Sequence, residues 1–359
     1  MPVMRRTKKQ IRRRLWVVLV TLALLALVGV AGAGGSEVNA GGGAGAQQTQ
    51  AEQSQQAGQP DQAAPSQQGS ADASRPQASA AGDGAQTLDT QAANAPPEGT
   101  LTVRFLDVGQ GDSELVELPD GKLMLIDAGT QDAGPTVVRA ARDLGRTRID
   151  YLVATHPHAD HIGGMAEVLH AFDVGEVWAP AVAGNTRTFE AFLDAVEDKG
   201  LTIRAGSRGK DIVAPGTAGY DVQVLGPSDS LSSEDLNDYS LVIRVRFGST
   251  SFLFTGDAPK DEIRADAREH VDVLKVAHHG SDTGTDASLA AQLSPRIAVI
   301  SYGIDNDYGH PTQRVLDALA ASGAQVLGTG ANGTVTVTSD GTDVTATPAR
   351  EGPVVAKSE

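Results

Sequence analysis

Three histidines and an aspartate fall within six residues in the stretch Thr155-His156-Pro157-His158-Ala159-Asp160-His161-Ile162-Gly163-Gly164. The stretch follows Tyr151-Leu152-Val153-Ala154, a short apolar run that reads as a buried strand. Strand, polar loop, then Gly-Gly at a helix start is the context in which such a cluster carries meaning. The chain has no cysteine, which excludes disulfide scaffolds, thiolate zinc fingers, Cys nucleophiles and a lipid anchor on an N-terminal Cys. Without thiolate, imidazole and carboxylate are the ligands that zinc and manganese accept. On an extended loop His156 and His158 point the same way. Asp160 and His161, at the start of a helix, can face a second ion nearby. The plain alternative is a solvated loop with incidental histidines.

Further strand ends carry similar residues. Asp257 closes Phe254-Thr255-Gly256-Asp257, and one carboxylate can bridge two cations through its two oxygens. Asp127 ends Leu125-Ile126-Asp127, as an outer support or a simple turn residue. His278 and His279 follow Asp272-Val273-Leu274-Lys275-Val276-Ala277. His310 precedes Pro311, which fits the first position of a helix. Shared membership of one metal site explains these loops together better than separate accidents do. His170 and His270 read as ordinary surface residues.

At 359 residues the chain is long enough for more than one domain. Residues 1–14 form a basic stub, and 15–33 are an uncharged apolar run just long enough to cross a bilayer. Seven bases precede that run, so the positive-inside rule predicts a single-pass anchor in the cytoplasmic membrane with the rest extracytoplasmic. A cleaved signal peptide, releasing a secreted protein, is the competing reading. Residues 34–97 are rich in Gln, Ala, Gly and Ser, a composition predicting a disordered tether. Residues 98–348 read as one α/β layered domain, opening with a hairpin at Asp120-Gly121, and 349–359 as a tail. Beyond the stub the formal charge is −23, the wrong sign for a broad nucleic-acid-binding face.

The motif series resembles the metallo-β-lactamase superfamily: Asp127, His156, His158, Asp160, His161, Asp257 and His310 match it in turn. More finely, the stretch from Phe105-Leu106-Asp107-Val108-Gly109-Gln110-Gly111-Asp112 to Tyr308-Gly309-His310-Pro311 is similar to the hydrolase domain of ComEC-type competence DNA-uptake proteins. The resemblance implies a four-layer αββα sandwich and two divalent ions, Zn²⁺ or Mn²⁺. It implies His156 and His158 on one ion, Asp160, His161 and His310 on the other, and Asp257 between them. His278 or His279 would protonate the leaving oxygen, and Asp160 could also orient the water. Many superfamily members carry a further histidine before the strand that precedes the bridging acid. Here Asn237 is the counterpart. The ComEC channel has no counterpart in this chain, so a DNA-transport role is not inherited.

The reading that results is an extracytoplasmic, membrane-tethered hydrolase of phosphodiesters or other esters, with DNA among the candidate substrates. A phosphorylcholine-esterase-like or lactonase-like enzyme and a non-catalytic surface-binding module are the alternatives. No protein partner is inferable.

Overall fold

The computed structural model describes residues 98–216 and 219–356. Strand periodicity sets the layers. In β1 (Leu101–Phe105) Leu101, Val103 and Phe105 are buried while Thr102 and Arg104 are partly exposed. β2 (Glu114–Glu117) and β3 (Leu123–Ile126) follow as the hairpin expected at Asp120-Gly121, where Gly121 takes φ +84°. Every residue of β3 is buried. Met124 and Ile126 face one apolar cluster, Leu123 and Leu125 another, so this strand is covered on both sides.

The chain then alternates helix and strand: α1 (Gly134–Asp143), β4 (Arg148–Val153), α2 (Ala159–Ile162), α3 (Met165–Ala171), β5 (Asp173–Pro180), α4 (Arg187–Asp198) and β6 (Ile203–Gly206). β3 to β6 run parallel. The second half repeats the scheme. β7 (Asp211–Val213), β8 (Tyr220–Gly226), β9 (Val242–Phe247) and β10 (Thr250–Phe254) are antiparallel. After α5 (Lys260–Asp266), β11 (Val273–Lys275), α6 (Ala287–Leu293), β12 (Ile297–Ile300), α7 (Gln313–Ala321) and β13 (Gln325–Gly328) extend that sheet in parallel. α8 (Thr329–Asn332) leads to the terminal hairpin β14 (Val335–Ser339) and β15 (Val344–Pro348), and β14 returns to pair with β1.

The result is an eight-stranded sheet, β15-β14-β1-β2-β3-β4-β5-β6, and a seven-stranded sheet, β13-β12-β11-β10-β9-β8-β7. Three apolar clusters fill three interfaces: one between the sheets, one under α1, α3 and α4, and one under α5, α6 and α7. That is the expected αββα layering. Between the sheets Phe105 stacks on Phe254 with centroids 6.1 Å apart. Truncating either ring would cost about 3–5 kcal/mol, since so dense a core collapses poorly.

Several expectations need correction. No helix among the described residues is long and apolar enough to cross a membrane. The longest, α4, has 12 residues and so spans roughly 18 Å against the ~30 Å of a hydrocarbon core. This corrects the expected single-pass placement in the cytoplasmic membrane. The apolar run 15–33 and the tether 34–97 lie outside the described residues. Pro311 does not open α7; Thr312 does, its hydroxyl accepting from the Val315 amide, and the cap outcompetes proline for that position. α5 and α6 escape a periodicity reading, α5 because Ile263 is its one buried side chain. α6 has a readable signal in Asp286, whose carboxylate caps the Leu289 amide.

Candidate metal centre

Parallel strands that end together bring their following loops to one edge of each sheet. Asp127 follows β3, His156 to His161 follow β4, Asp257 follows β10, and His278 and His279 follow β11. The two edges meet where the Leu241 amide donates to Thr155 O at 2.9 Å, and within the second edge the Asp257 amide donates to Ser240 Oγ at 3.2 Å. Close approach on the first sheet needs Gly111 and Gly164. A Cβ on either would sit 2.4 Å from a backbone oxygen, of Asp160 and Ala128 respectively. Four non-glycine residues take positive φ among the described residues, and three of them are Asp127, His278 and His279. Backbone strain is concentrated where the loops converge.

One group is deep. His161 is fully buried, and its Nδ1 lies 2.7 Å from Asp127 Oδ2. That carboxylate is itself held by the Thr155 amide at 2.8 Å and the Thr155 hydroxyl at 2.6 Å. The network assigns the ring proton to Nδ1 and leaves the Nε2 lone pair facing Asp257 Oδ1 at 3.3 Å. His279 is oriented in the same manner. Its Nδ1 donates to Ser301 O at 2.9 Å and lies 3.3 Å from Asp112 Oδ1, while Nε2 lies 3.3 Å from Asp160 Oδ2. His161 Nε2, His279 Nε2 and Asp257 Oδ1 are buried without a hydrogen-bond partner. Buried polar atoms rarely stay unpaired, and one cation would satisfy all three. The ligand atoms of Asp160, His161, Asp257 and His279 lie within 4.8 Å of one another.

The other group is shallower. His156 Nε2 and His158 Nδ1 converge to 3.0 Å, and His156 Nε2 lies 3.9 Å from Asp257 Oδ2. The supporting contact for His156 is the neutral Thr155 hydroxyl, 3.1 Å from Nδ1. Asp257 therefore belongs to both groups, which together fit two divalent ions sharing one carboxylate.

The electrostatics agree with cation binding. Burial pushes the Asp257 carboxyl up, but His161 and His279 outweigh it and hold the group well below the usual carboxylate range. Burial disfavours a charged His279, yet Asp257 and Asp112 raise it to about 10. The pocket favours positive charge, as a cation-binding centre requires.

One placement differs from the expectation. His279, expected as a proton donor, sits in the deep group where His310 was expected. His310 packs edge-on against His278, ring centroids 5.8 Å apart, and enters neither group. The cause is the turn Ala277–Gly280, in which φ of +52° and +54° at the two histidines drives His279 inward and leaves His278 at the rim. His278 Nε2 lies 3.7 Å from Asp257 Oδ2, with Nδ1 3.0 Å from Thr283 Oγ1. Asn237 lies in the turn Leu236–Tyr239 just before Ser240, its Oδ1 buried and unpartnered. His170 and His270 are exposed, as expected.

Sequence reasoning missed Asp112 and Lys275. Both are about 1 % exposed and form an ion pair behind His279, with Glu114 buried beside them. Each left a signal: a charged residue inside the apolar run Val273-Leu274-Lys275-Val276, and an acid after Gly109-Gln110-Gly111.

The model of the metallo-beta-lactamase superfamily matches residues 106–304. The chain is 30% identical over 254 residues to "ComE operon protein 3" of Bacillus subtilis, covering 65% of this chain and 32% of the relative. It is 31% identical over 244 residues to "Recombination protein 2" of Haemophilus influenzae, covering 66% and 29%. It is also 31% identical over 245 residues to "Competence protein ComA" of Neisseria gonorrhoeae, covering 67% and 32%. The chain thus spans about a third of the length of these relatives. With its two-sheet sandwich and the histidine-aspartate loops at the sheet edges, the chain belongs to the metallo-beta-lactamase superfamily, whose fold implies divalent metal ions and hydrolysis, and is related to competence proteins.

Proposed function

We propose that the chain is a binuclear metal-dependent phosphodiesterase, a nuclease of the ComEC type. The observation that carries this reading is Asp257, whose Oδ1 faces His161 at 3.3 Å while Oδ2 faces His156 at 3.9 Å. In this reading His156, His158 and Asp257 hold one ion, with Asn237, whose Oδ1 is buried and unpartnered, as a further oxygen donor. Asp160, His161, His279 and Asp257 hold the second. Bound divalent ions supply a water acidic enough to ionise near neutral pH and a clamp for the oxygens of an in-line displacement.

The chain's own residues do the remaining work. Asp127, Asp112 and Ser301 fix the ring orientation of His161 and His279, so that both Nε2 lone pairs point inward. His278 stands outside both groups. As an imidazolium His278 would donate from Nδ1 to the Thr283 hydroxyl, 3.0 Å away, and hold its other proton on Nε2, 3.7 Å from Asp257 Oδ2, from where it can pass to a leaving oxygen and leave a neutral ring.

The test is metal analysis of the full chain together with hydrolysis of single-stranded DNA, bis-p-nitrophenyl phosphate, p-nitrophenylphosphorylcholine and a simple lactone. We expect about two ions per chain, as a shared carboxylate between paired sites requires, and turnover of the diesters. Turnover of the lactone with all three phosphodiesters untouched would reject the phosphodiesterase reading.

A further inference from the structure

We propose that Tyr308 is a stacking platform for a nucleobase of the strand that enters the metal centre, which makes the substrate a single-stranded nucleic acid. The proposal deepens the phosphodiesterase reading and rests on it.

Three large apolar side chains stand well exposed among the described residues, and two of them, Ile304 (62%) and Tyr308 (69%), belong to one loop, 303–310. That loop is not a slack surface tip. The buried Asn306 donates from Nδ2 to Gly303 O at 2.7 Å and to His310 O at 2.6 Å. Its Oδ1 accepts from the Tyr308 amide at 3.0 Å and the His310 amide at 3.2 Å. The Gly303 amide in turn donates to Gln110 Oε1 at 3.1 Å, tying the loop to the one that carries Asp112. One side chain thus braces both ends of a loop that holds a tyrosine out in water.

The ring leads somewhere. Tyr308 lies near-parallel to His310, centroids 6.1 Å apart at 23°. His310 meets His278 edge-on at 5.8 Å, and His278 Nε2 reaches within 3.7 Å of Asp257 Oδ2. A row of rings therefore runs from solvent to the metal centre, and His310, which enters neither ligand group, backs the outermost ring. A flat ring laid on Tyr308 continues that ladder, and the strand that carries it can lead on along the row of rings to place a phosphate at the centre. Base–aromatic stacking needs an unstacked, unpaired base, hence a single strand. No lysine or arginine occurs between residues 303 and 310, and Asp305 and Asp307 precede the tyrosine. Attraction at this point comes from stacking, and salt should weaken it little.

The experiment uses the full chain, with Tyr308→Ala and Tyr308→Trp, on a thymidine oligonucleotide and an abasic oligonucleotide of equal length. Fluorescence anisotropy on the metal-loaded chain, taken before appreciable cleavage, reads binding apart from turnover. We expect Tyr308→Ala to lose roughly tenfold in affinity and in kcat/KM for the thymidine strand, mainly through KM, as one lost stack implies. The abasic strand should be unaffected, and tryptophan should restore the loss. Equal effects on both strands, or none on either, would overturn the platform while leaving the phosphodiesterase standing. Failure of the unaltered chain to cut either strand would remove both. Loss of p-nitrophenylphosphorylcholine turnover alone in Tyr308→Ala would assign the ring to a cationic ester and overturn the nucleobase.

Discussion

The two histidine groups that share Asp257 differ in what stands behind them. In the deep group each imidazole has a carboxylate within reach of its far nitrogen: Asp127 for His161, Asp112 for His279. In the shallow group His156 leans on a hydroxyl, and His158 is part-exposed. A carboxylate partner fixes the ring and raises its basicity, and its loss typically weakens metal affinity about 10–100-fold. The family motif supplies His156, His158, Asp160, His161 and Asp257 to the two groups, and His279 joins them from the turn after β11. The difference in support comes from strands far apart in the chain, and it predicts a tight site beside a weak one.

Breaking the shared element has the largest effect. Asp257→Ala should abolish hydrolysis and strip both ions, measured as metal per chain by mass spectrometry. Retention of one full ion would show that the two groups do not depend on a common carboxylate.

Next in size is the contrast between neighbours. His279→Ala should lose the deep ion and activity together, whereas His278→Ala should keep its metal and turn over more slowly, by about 10²–10⁴-fold if it is the proton donor. Parallel loss of metal in both variants would make the whole turn a ligand loop and erase the distinction between rim and interior.

Asp127→Asn sharpens the comparison further. It keeps the side-chain shape but removes the charge behind His161, so zinc affinity of the deep group should fall about 10–100-fold with the shallow group little changed. Titration calorimetry on the apo protein reads both sites at once. An equal fall at both would mean that Asp127 supports the centre as a whole.

The smallest effect concerns the shallow group alone. It has two imidazoles, a share of Asp257 and at most the amide oxygen of Asn237, and oxygen in place of nitrogen tilts a site from zinc towards manganese. Mild chelation should empty it first, and Asn237→His should raise its zinc affinity. Two equally tight zinc sites in the unaltered chain would contradict the asymmetry.

What could be read along the chain was whatever a local period or a short motif encodes. Alternation in Leu101–Phe105 marks a one-sided strand, Asp120-Gly121 marks a turn, and the spacing from His156 to His161 marks a metal loop, because neighbours in sequence are there neighbours in space. Asp257, at the end of an apolar strand, is a weak signal alone and gains meaning only beside the other loops, and it lies in both histidine groups. Local order could not say which of two adjacent histidines turns inward. That depended on left-handed backbone at both residues of the turn after β11. Nor could it join Lys275 to Asp112, 163 positions away, or close the first sheet by pairing β14 with β1. A buried ion pair and a sheet edge are satisfied only when distant segments meet, so the sequence by itself determined the layers and the motif loops. The tertiary structure alone decided which side chains complete the centre and which ones hold them in place.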